Sequence, residues 1–381
     1  MFKSIFSVSL LTVLFLSNIQ PVLCFQLQQS EVLKLELSFG AENLPEEYLL
    51  ANPRGIAVND RGEILIADEN RIKVFDKNGK ALKILGGEGQ GPREFTNLGT
   101  ITVSASGLLS AANNRDYNIY TWENLFIKKI APSLDEKFAH FLTENNISQT
   151  SAVKKVYSID ENSKCIQFRS ARERVNPKIF LMQKVLVFSS DEYSKVIASV
   201  PNYVWWRGRF LPYSGDLLWE VDDNNRIIYT RTTEDISGST SGYYYKINIL
   251  SDNEKKIVIS RKYDPVKIPE VVYKEEMSSF NEKEVEQFLE KQLKETNYNY
   301  PPVKWLRIEG NCLYAGTIQE NEHENLIVDV FNIDNNMYIT SFYTAIDFDC
   351  VKNGYAYRIK REKNEFPLVE KYKIDSAFLG K

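Results

Sequence analysis

Histidine and cysteine are scarce in this sequence, which limits the metal and redox chemistry that it can support. The 381 residues include two histidines, His140 and His323, which lie in different insertions or loops. This excludes a multi-histidine zinc centre, and no two of the four cysteines have the C-x-x-C spacing of zinc or redox sites. Three cysteines follow residue 24, and an odd number argues against a disulfide framework. We expect buried free thiols, while a pair between Cys312 and Cys350 stays open.

The sequence also lacks an excess of positive charge. Lysine and arginine total 47 against 51 aspartates and glutamates, which gives a formal net charge of -4. Nucleic-acid-binding proteins usually carry a concentrated basic excess, so nucleic acid is excluded as a partner. The 43% hydrophobic and 26% charged residues are typical of a globular protein. Aromatic residues reach 12% and favour the half-buried surface of a β-sheet.

No hydrophobic run is long enough for a comfortable membrane span, which needs roughly 20 apolar residues. Residues 1–24 instead have the layout of a signal peptide, with Lys3 before a shorter apolar stretch from Val8 to Leu16. We expect cleavage after Cys24 and export of residues 25–381, as a single domain, to the periplasm or cell surface. The alternative is a lipid anchor on Cys24, although Leu23 stands where a lipobox has Gly, Ala or Ser.

Four short antiparallel strands are predicted between residues 55 and 85. Gly55–Asp68 alternates apolar residues on both sides of an Asn-Asp-Arg-Gly turn, and Arg71–Phe75 and Leu82–Leu85 follow. The unit recurs 45 residues later, where Ile101 matches Ile56 and Asn113 matches Asp68. A four-stranded unit with a period near 40 to 45 residues is typical of a β-propeller blade.

The fold class predicted from these repeats is all-β, a six-bladed β-propeller. The blades are expected at residues 52–86, 95–131, 153–200, 208–262, 303–343 and 345–375. The last unit offers only three strands, whereas Glu31–Phe39 alternates cleanly and has no blade of its own. Pairing this N-terminal strand onto the last blade closes the ring and removes an open sheet edge.

One segment departs from the β pattern before the fifth blade, at about residues 270–300. From Ser279 to Thr296 the apolar spacing is that of an amphipathic helix, and Ser279 with Glu282 has the spacing of a capping box. A second helical stretch is predicted from Leu134 to Leu142. Both lie between blades, so we interpret them as insertions on a propeller face.

The sequence resembles the NHL-like six-bladed propeller proteins of the bacterial cell envelope. The resemblance rests on three segments around the first blade: Asn52–Val58 (NPRGIAV), Ala67–Phe75 (ADENRIKVF) and Gly86–Phe95 (GGEGQGPREF). It implies a propeller fold and an exported location. Most members of that group have no assigned activity, so the resemblance implies no reaction.

Two groups of residues are candidates for a binding site. The first is Asp68 with Arg71, which is expected either near the central channel or within a blade turn, satisfying backbone groups. The second is an aromatic segment that contains Trp205, Trp206, Arg207, Arg209 and Tyr213. Tryptophan, tyrosine and arginine dominate binding hot spots, although the same aromatics are also expected if the segment packs between two blades.

The function predicted from these observations is non-enzymatic. We expect a binding or scaffolding propeller, acting as a monomer, which recognises a protein, peptide or glycan of the cell envelope through its face loops. The alternative is a calcium-dependent hydrolase or lyase resembling the lactonase propellers, with a site at the central channel. No motif specifies a metal site or cofactor, and membrane contact is expected only through the lipid anchor at Cys24.

Overall fold

The computed structural model describes residues 32–40, 44–148, 151–170, 173–240, 242–251, 255–320, 325–363 and 365–378. The predicted signal peptide, with Cys24, and His323 lie outside these residues. The described chain forms six antiparallel sheets of four or five strands. The protein is a six-bladed β-propeller, as predicted.

The strands follow chain order from blade to blade. The first strand, β1 (Leu33–Phe39), precedes blade 1, which contains β2 (Pro53–Val58), β3 (Ile64–Asp68), β4 (Arg71–Phe75) and β5 (Ala81–Leu85). Blade 2 contains β6 (Leu98–Val103), β7 (Leu109–Asn113), β8 (Asp116–Tyr120) and β9 (Phe126–Ile130). Blade 3 contains β10 (Ala152–Ser158), β11 (Lys164–Arg169), β12 (Glu173–Arg174), β13 (Ile179–Ser189) and β14 (Ser194–Trp205).

The second half of the ring repeats this plan. Blade 4 contains β15 (Leu217–Val221), β16 (Ile227–Arg231), β17 (Ile236–Ser239), β18 (Gly242–Leu250) and β19 (Lys256–Tyr263). Blade 5 contains β20 (Val303–Glu309), β21 (Cys312–Glu320), β22 (Leu326–Asn332) and β23 (Met337–Thr344), and blade 6 begins with β24 (Cys350–Lys352), β25 (Tyr355–Lys360) and β26 (Leu368–Ile374). Short 3-10 helices occupy Glu46–Tyr48, Pro132–Leu134 and Ser376–Phe378.

The N-terminal strand completes the last blade, which confirms the predicted closure. β1 pairs antiparallel with β26, from Leu33 opposite Ile374 to Phe39 opposite Val369. Blade 6 therefore has the strand order β1-β26-β25-β24. Its outer edge comes from the start of the described chain and its three inner strands come from the end, so the two ends hold one sheet together.

The helical insertion lies before blade 5, as predicted, but it contains two helices. Within the described residues the α-helices are α1 (Glu136–Glu144), α2 (Glu270–Ser278) and α3 (Lys283–Glu295). The predicted capping box is wrong. Ser279 is the C-cap of α2, and Glu282 is the N-cap of α3 without a side-chain capping bond, because the chain reverses between them at Asn281, with φ of 53°.

The first strand of each blade lines a central channel with a volume of about 340 Å³. In blades 1, 2, 3 and 5 this strand contains a β-bulge near its start. The bulges in blades 1, 3 and 5 fall at basic residues, namely Arg54, Lys154 and Lys304. A bulge inserts one extra residue into a strand and redirects its side chains. Of the three, Arg54 lines the channel and Lys154 lines a neighbouring cavity.

The three cysteines of the described chain are free thiols, as expected, and Cys312 does not pair with Cys350. Burial raises the pKa of the Cys165 thiol to about 12 and that of Cys312 to about 11. Because the thiolate is the reactive form, these two buried thiols are unreactive at neutral pH.

Candidate functional site

The aromatic segment forms a β-hairpin at the end of blade 3. The N–H of Trp205 donates a hydrogen bond to the carbonyl of Arg209 (2.8 Å), and the N–H of Leu211 donates to the carbonyl of Tyr203 (2.8 Å). Gly208 allows the reversal because its φ of 92° lies in the left-handed region. Blade 4 consequently starts at Leu217, nine residues after the predicted position 208 (217 − 208).

Trp205 faces the helical insertion. Its side chain is buried, and its ring lies 5.4 Å from the ring of Phe280 in an edge-on arrangement. The surrounding apolar cluster joins blade 3 to the hairpin and to α3, through Ile179, Leu211, Val285 and Leu289. Trp205 is therefore a packing residue that fixes the hairpin to the helices.

Arg209 ties the same hairpin to α2 by polar contacts. Its guanidinium forms an ion pair with Glu276 and donates a hydrogen bond to Ser279 Oγ (2.8 Å). It also stacks over the ring of Phe280 at 4.4 Å. Like Trp205, Arg209 serves the internal support of the hairpin.

The tip of the hairpin presents Trp206, Arg207 and Phe210 to solvent, and we refer to these three residues as the hairpin patch. Trp206 is 43% exposed and Phe210 40% exposed. The Arg207 guanidinium lies 5.0 Å from the Trp206 ring centroid, and the Lys178 ammonium lies 5.2 Å from it. The patch thus combines exposed aromatic rings with cations that stack on the Trp206 ring.

Tyr213 lies beyond the hairpin and is not part of the patch. Its φ is 62°, and its ring centroid is 6.3 Å from that of Tyr300, in the segment that leaves the helical insertion. Burial raises the pKa of Tyr213 to about 12. Its contacts therefore connect the chain after blade 3 to the start of blade 5.

Asp68 and Arg71 belong to a turn in blade 1. Asp68 is fully buried and accepts hydrogen bonds from the N–H groups of Ala51 (3.1 Å) and Asn52 (2.6 Å). It also forms an ion pair with Lys73 at 2.7 Å. Arg71 is its register partner across the turn and is exposed. Neither residue is among those that line the channel in the described part of the chain.

Blade 2 repeats this arrangement with a different residue. Asn113, the predicted match of Asp68, accepts hydrogen bonds from the N–H groups of Thr96 (2.8 Å) and Asn97 (2.9 Å). These donors lie 45 residues after Ala51 and Asn52. The two acceptors therefore hold equivalent backbone segments, which is the role that blade turns require.

A second charged site, not predicted from the sequence, lies at one end of the channel. A cavity of about 380 Å³ is lined by five cations, which we call the basic mouth: Lys154, Lys155, Arg169, Lys184 and Arg307. Two carboxylates, those of Asp216 and Glu220, also line it. Lys154 and Lys155 come from β10, and the other three cations come from β11, β13 and β20.

Both carboxylates of the basic mouth form ion pairs with some of its cations. Glu220 pairs with Lys155 at 2.9 Å and with Arg307 at 3.5 Å. Asp216 pairs with Lys184 at 2.6 Å. Burial lowers the pKa of Lys154, and the positive charges of Arg169, Lys184 and Arg54 lower it further.

Two further carboxyl groups have a raised pKa, that of Asp349, which lines the channel, and that of Glu309, at the end of β20. Burial raises the pKa of Glu309 and of Asp349. Glu309 Oε1 accepts a hydrogen bond from the N–H of Gly354 (3.3 Å), and Asp349 accepts one from the N–H of Ile359 (2.6 Å). Within the described residues no three His, Cys, Asp or Glu side chains are close enough together to hold a metal ion.

Arg169 connects the hairpin patch to the basic mouth. Its guanidinium lies 5.2 Å from the Phe210 ring centroid and also lines the cavity of the mouth. The two sites therefore lie next to each other at blade 3. Sequence analysis proposed the first candidate site from its composition and did not propose the second, although Lys154 and Lys155 stand together between the apolar residues Val153 and Val156.

These features define a six-bladed propeller with an aromatic hairpin and a basic channel entrance. Among solved structures it is similar to a presumed exported protein of Bacteroides fragilis, with 10% sequence identity, a TM-score of 0.52, and coverage of 92% of this chain and 97% of that chain. It is also similar to a gluconolactonase of Xanthomonas campestris, with 8% identity, a TM-score of 0.42, and coverage of 85% and 86%.

A third similar structure is the extracellular domain of a presumed one-component system of B. thetaiotaomicron. The identity is 8% and the TM-score 0.43, over 90% of this chain and 36% of that chain. No family model and no curated protein sequence matches the chain. In the described residues no helix is both long and apolar enough to cross a bilayer. The similarity to the Bacteroides fragilis protein, with its TM-score of 0.52, agrees with the propeller fold.

Proposed function

We propose that the protein is an exported binding propeller, related to the NHL-like envelope group, that recognises a protein, peptide or glycan through the hairpin patch. The observation that carries the proposal is the exposure of Trp206 beside Arg207 on a hairpin that Trp205 and Arg209 fasten to the helical insertion. A fixed aromatic anchor loses little conformational freedom on binding, which favours affinity.

The charges of the channel support binding over a calcium-dependent reaction. Calcium sites use several carboxylate and carbonyl oxygens around one cation. At the basic mouth, Glu220 and Asp216 each already contact a lysine, and additional cations surround them. We therefore propose that the protein uses no cofactor. We also propose that it acts as a monomer.

The proposed binding surface is tested by comparing three forms of residues 25–381. Wild-type protein, the double variant W206A/R207A and the control W122A are immobilised and exposed to separate protein and glycan fractions of an envelope extract. Trp122 is a matched control because it is 54% exposed and the Arg61 guanidinium stacks on its ring at 4.8 Å.

Wild-type protein and W122A are expected to retain the same components, and W206A/R207A to lose them. The fraction that contains these components tells a glycan from a polypeptide ligand. Equal retention by all three forms would show that the hairpin patch is not the binding surface.

Export is proposed on the layout of residues 1–24. The mass of the mature protein purified from its native host distinguishes the two forms of processing. A chain that begins at Phe25 is the expected result, and a diacylated chain that begins at Cys24 would instead show a lipid anchor. Retention of Met1 and Lys3 in the mature protein would contradict export through a signal peptide.

A further inference from the structure

A β-bulge in β10 adds one of the cations of the basic mouth. In β10, Val153 pairs with Phe168 and Lys155 with Gln167, so Lys154 is the extra residue of a bulge. Successive side chains of a regular strand point to opposite faces, whereas a bulge redirects one of them. Lys154 and Lys155 consequently line the same cavity.

The neighbouring strands add cations on the same side. Arg169 lies on β11 and pairs in register with Lys184 of β13. Arg307 comes from β20, the first strand of blade 5, so the positive side chains reach the mouth from two separate blades. Closure of the ring of blades therefore brings these five cations together.

The carboxylates at this end do not balance these cations. Five cations face two carboxylates, and Glu220 is shared by Lys155 and Arg307. Asp216 is engaged by Lys184. Lys154 is half-buried and has no ion pair among the described residues. The mouth is therefore positive in a chain whose formal net charge is -4.

A partly buried cluster of like charges is unfavourable unless a counter-charge enters it. The cavity of about 380 Å³ lies within the range of small-molecule sites. Arginine and lysine at one site are the usual ligands of carboxylate and phosphate groups. The mouth therefore has the charge and the volume that a small anion requires.

We propose that the basic mouth is a binding site for a small anionic ligand whose carboxylate or phosphate group lies among Lys154, Arg169 and Lys184. This site is distinct from the hairpin patch and does not depend on it. The contact between Arg169 and Phe210 places both sites where one larger acidic ligand can reach them.

The test uses isothermal titration calorimetry on residues 25–381 at low ionic strength, with inorganic phosphate and citrate as separate probes. The variant K154Q removes the cation without an ion pair. The control K80Q removes the same charge from an exposed lysine in the turn between β4 and β5.

Wild-type protein and K80Q are expected to bind at least one anion, and K154Q to bind the same anion at least about tenfold more weakly. Binding of phosphate alone points to a phosphorylated ligand, and binding of citrate alone to a carboxylate ligand. The affinity is expected to fall as salt is added, because salt screens charge.

Correct folding of K154Q is checked by thermal unfolding without added anion. Its midpoint is expected to equal or exceed that of wild-type protein, because the substitution removes repulsion from Arg169, Lys184 and Arg54. The proposal is overturned if wild-type protein binds neither anion, or if K154Q and wild-type protein bind equally. Loss of anion binding in K80Q would show that net charge, not the mouth, controls it.

Discussion

Trp205 and Trp206 are adjacent in the sequence but have opposite environments. β14 ends at Trp205, and Trp206 is the first residue of the hairpin turn. The first ring is 8% exposed and contacts Phe280, whereas the second is 43% exposed. Sequence composition alone does not distinguish the two residues. Their packing in the structure separates Trp205, which supports the hairpin, from Trp206, which is exposed for binding.

This difference predicts unequal effects of the two alanine substitutions on stability. W205A removes a buried ring from the cluster of the hairpin and α3, so the free energy of unfolding should fall by about 3 kcal/mol. W206A should change it by no more than about 0.5 kcal/mol, as is usual for exposed positions. Urea unfolding of both variants measures the two values. Equal losses would show that Trp206 is also a packing residue.

The buried ion pair of Asp68 with Lys73 is a second feature that depends on single residues. Both side chains are almost completely buried. At the equivalent positions, 45 residues later, blade 2 has Asn113 and Asn118, which are neutral and also buried. The same two blade positions therefore accept either a buried ion pair or two buried neutral side chains.

The substitution D68N alone is expected to destabilise the protein strongly. It leaves the Lys73 ammonium buried without a carboxylate, which should lower the free energy of unfolding by about 3–5 kcal/mol. The double variant D68N/K73N introduces the two residues that blade 2 has at these positions, removes the unpaired charge and should recover part of that loss. Thermal and urea unfolding of both variants measure the recovery. If the double variant is less stable than D68N, the two blades are not equivalent at these positions.

At the scale of elements, closure of the ring depends on β1. This strand pairs with β26 along its length, and Leu33 packs in a cluster with Trp305 and Ile374, from blades 5 and 6. Without β1, β26 becomes an open edge and the apolar surface beside it is exposed.

A chain that begins at Leu44 is therefore expected to lose cooperative unfolding or to aggregate. Size-exclusion chromatography and calorimetry compare it with residues 25–381. Residues 25–43 added as a separate peptide should restore part of the melting transition, since a separate peptide can make both the backbone pairing of β1 with β26 and the packing of Leu33. A truncated chain that unfolds cooperatively at the wild-type temperature would contradict this dependence.

The helical insertion shows which elements a sequence can reveal. Val285, Leu289 and Leu293 of α3 are buried, and their helical spacing predicted that helix. None of the residues of α2 is buried, so its sequence carries no apolar periodicity and it was missed. Propeller strands were found by the same reasoning, because alternation and a 45-residue period reflect the burial of each blade.

At the scale of the whole molecule, the basic mouth was not predictable. Its residues come from β10, β11, β13 and β20, which are separated by up to 153 positions (Lys154 to Arg307). No local motif joins them, and the overall composition is slightly acidic. Only closure of the ring brings blades 3 and 5 to one channel, so the site is a product of topology.

The charge of the channel predicts which ions stabilise the whole propeller. A ligand that binds only the folded state at 100 times its dissociation constant adds about 2.7 kcal/mol, which shifts the thermal midpoint measurably. We expect such a shift with phosphate or citrate and none with calcium, because the cations of the mouth repel a divalent cation and its carboxylates are already paired. Calorimetry of residues 25–381 with each additive measures these shifts. A calcium shift that EDTA reverses would instead require an oxygen-lined site in the channel and would favour the lactonase-like alternative over the binding protein proposed here.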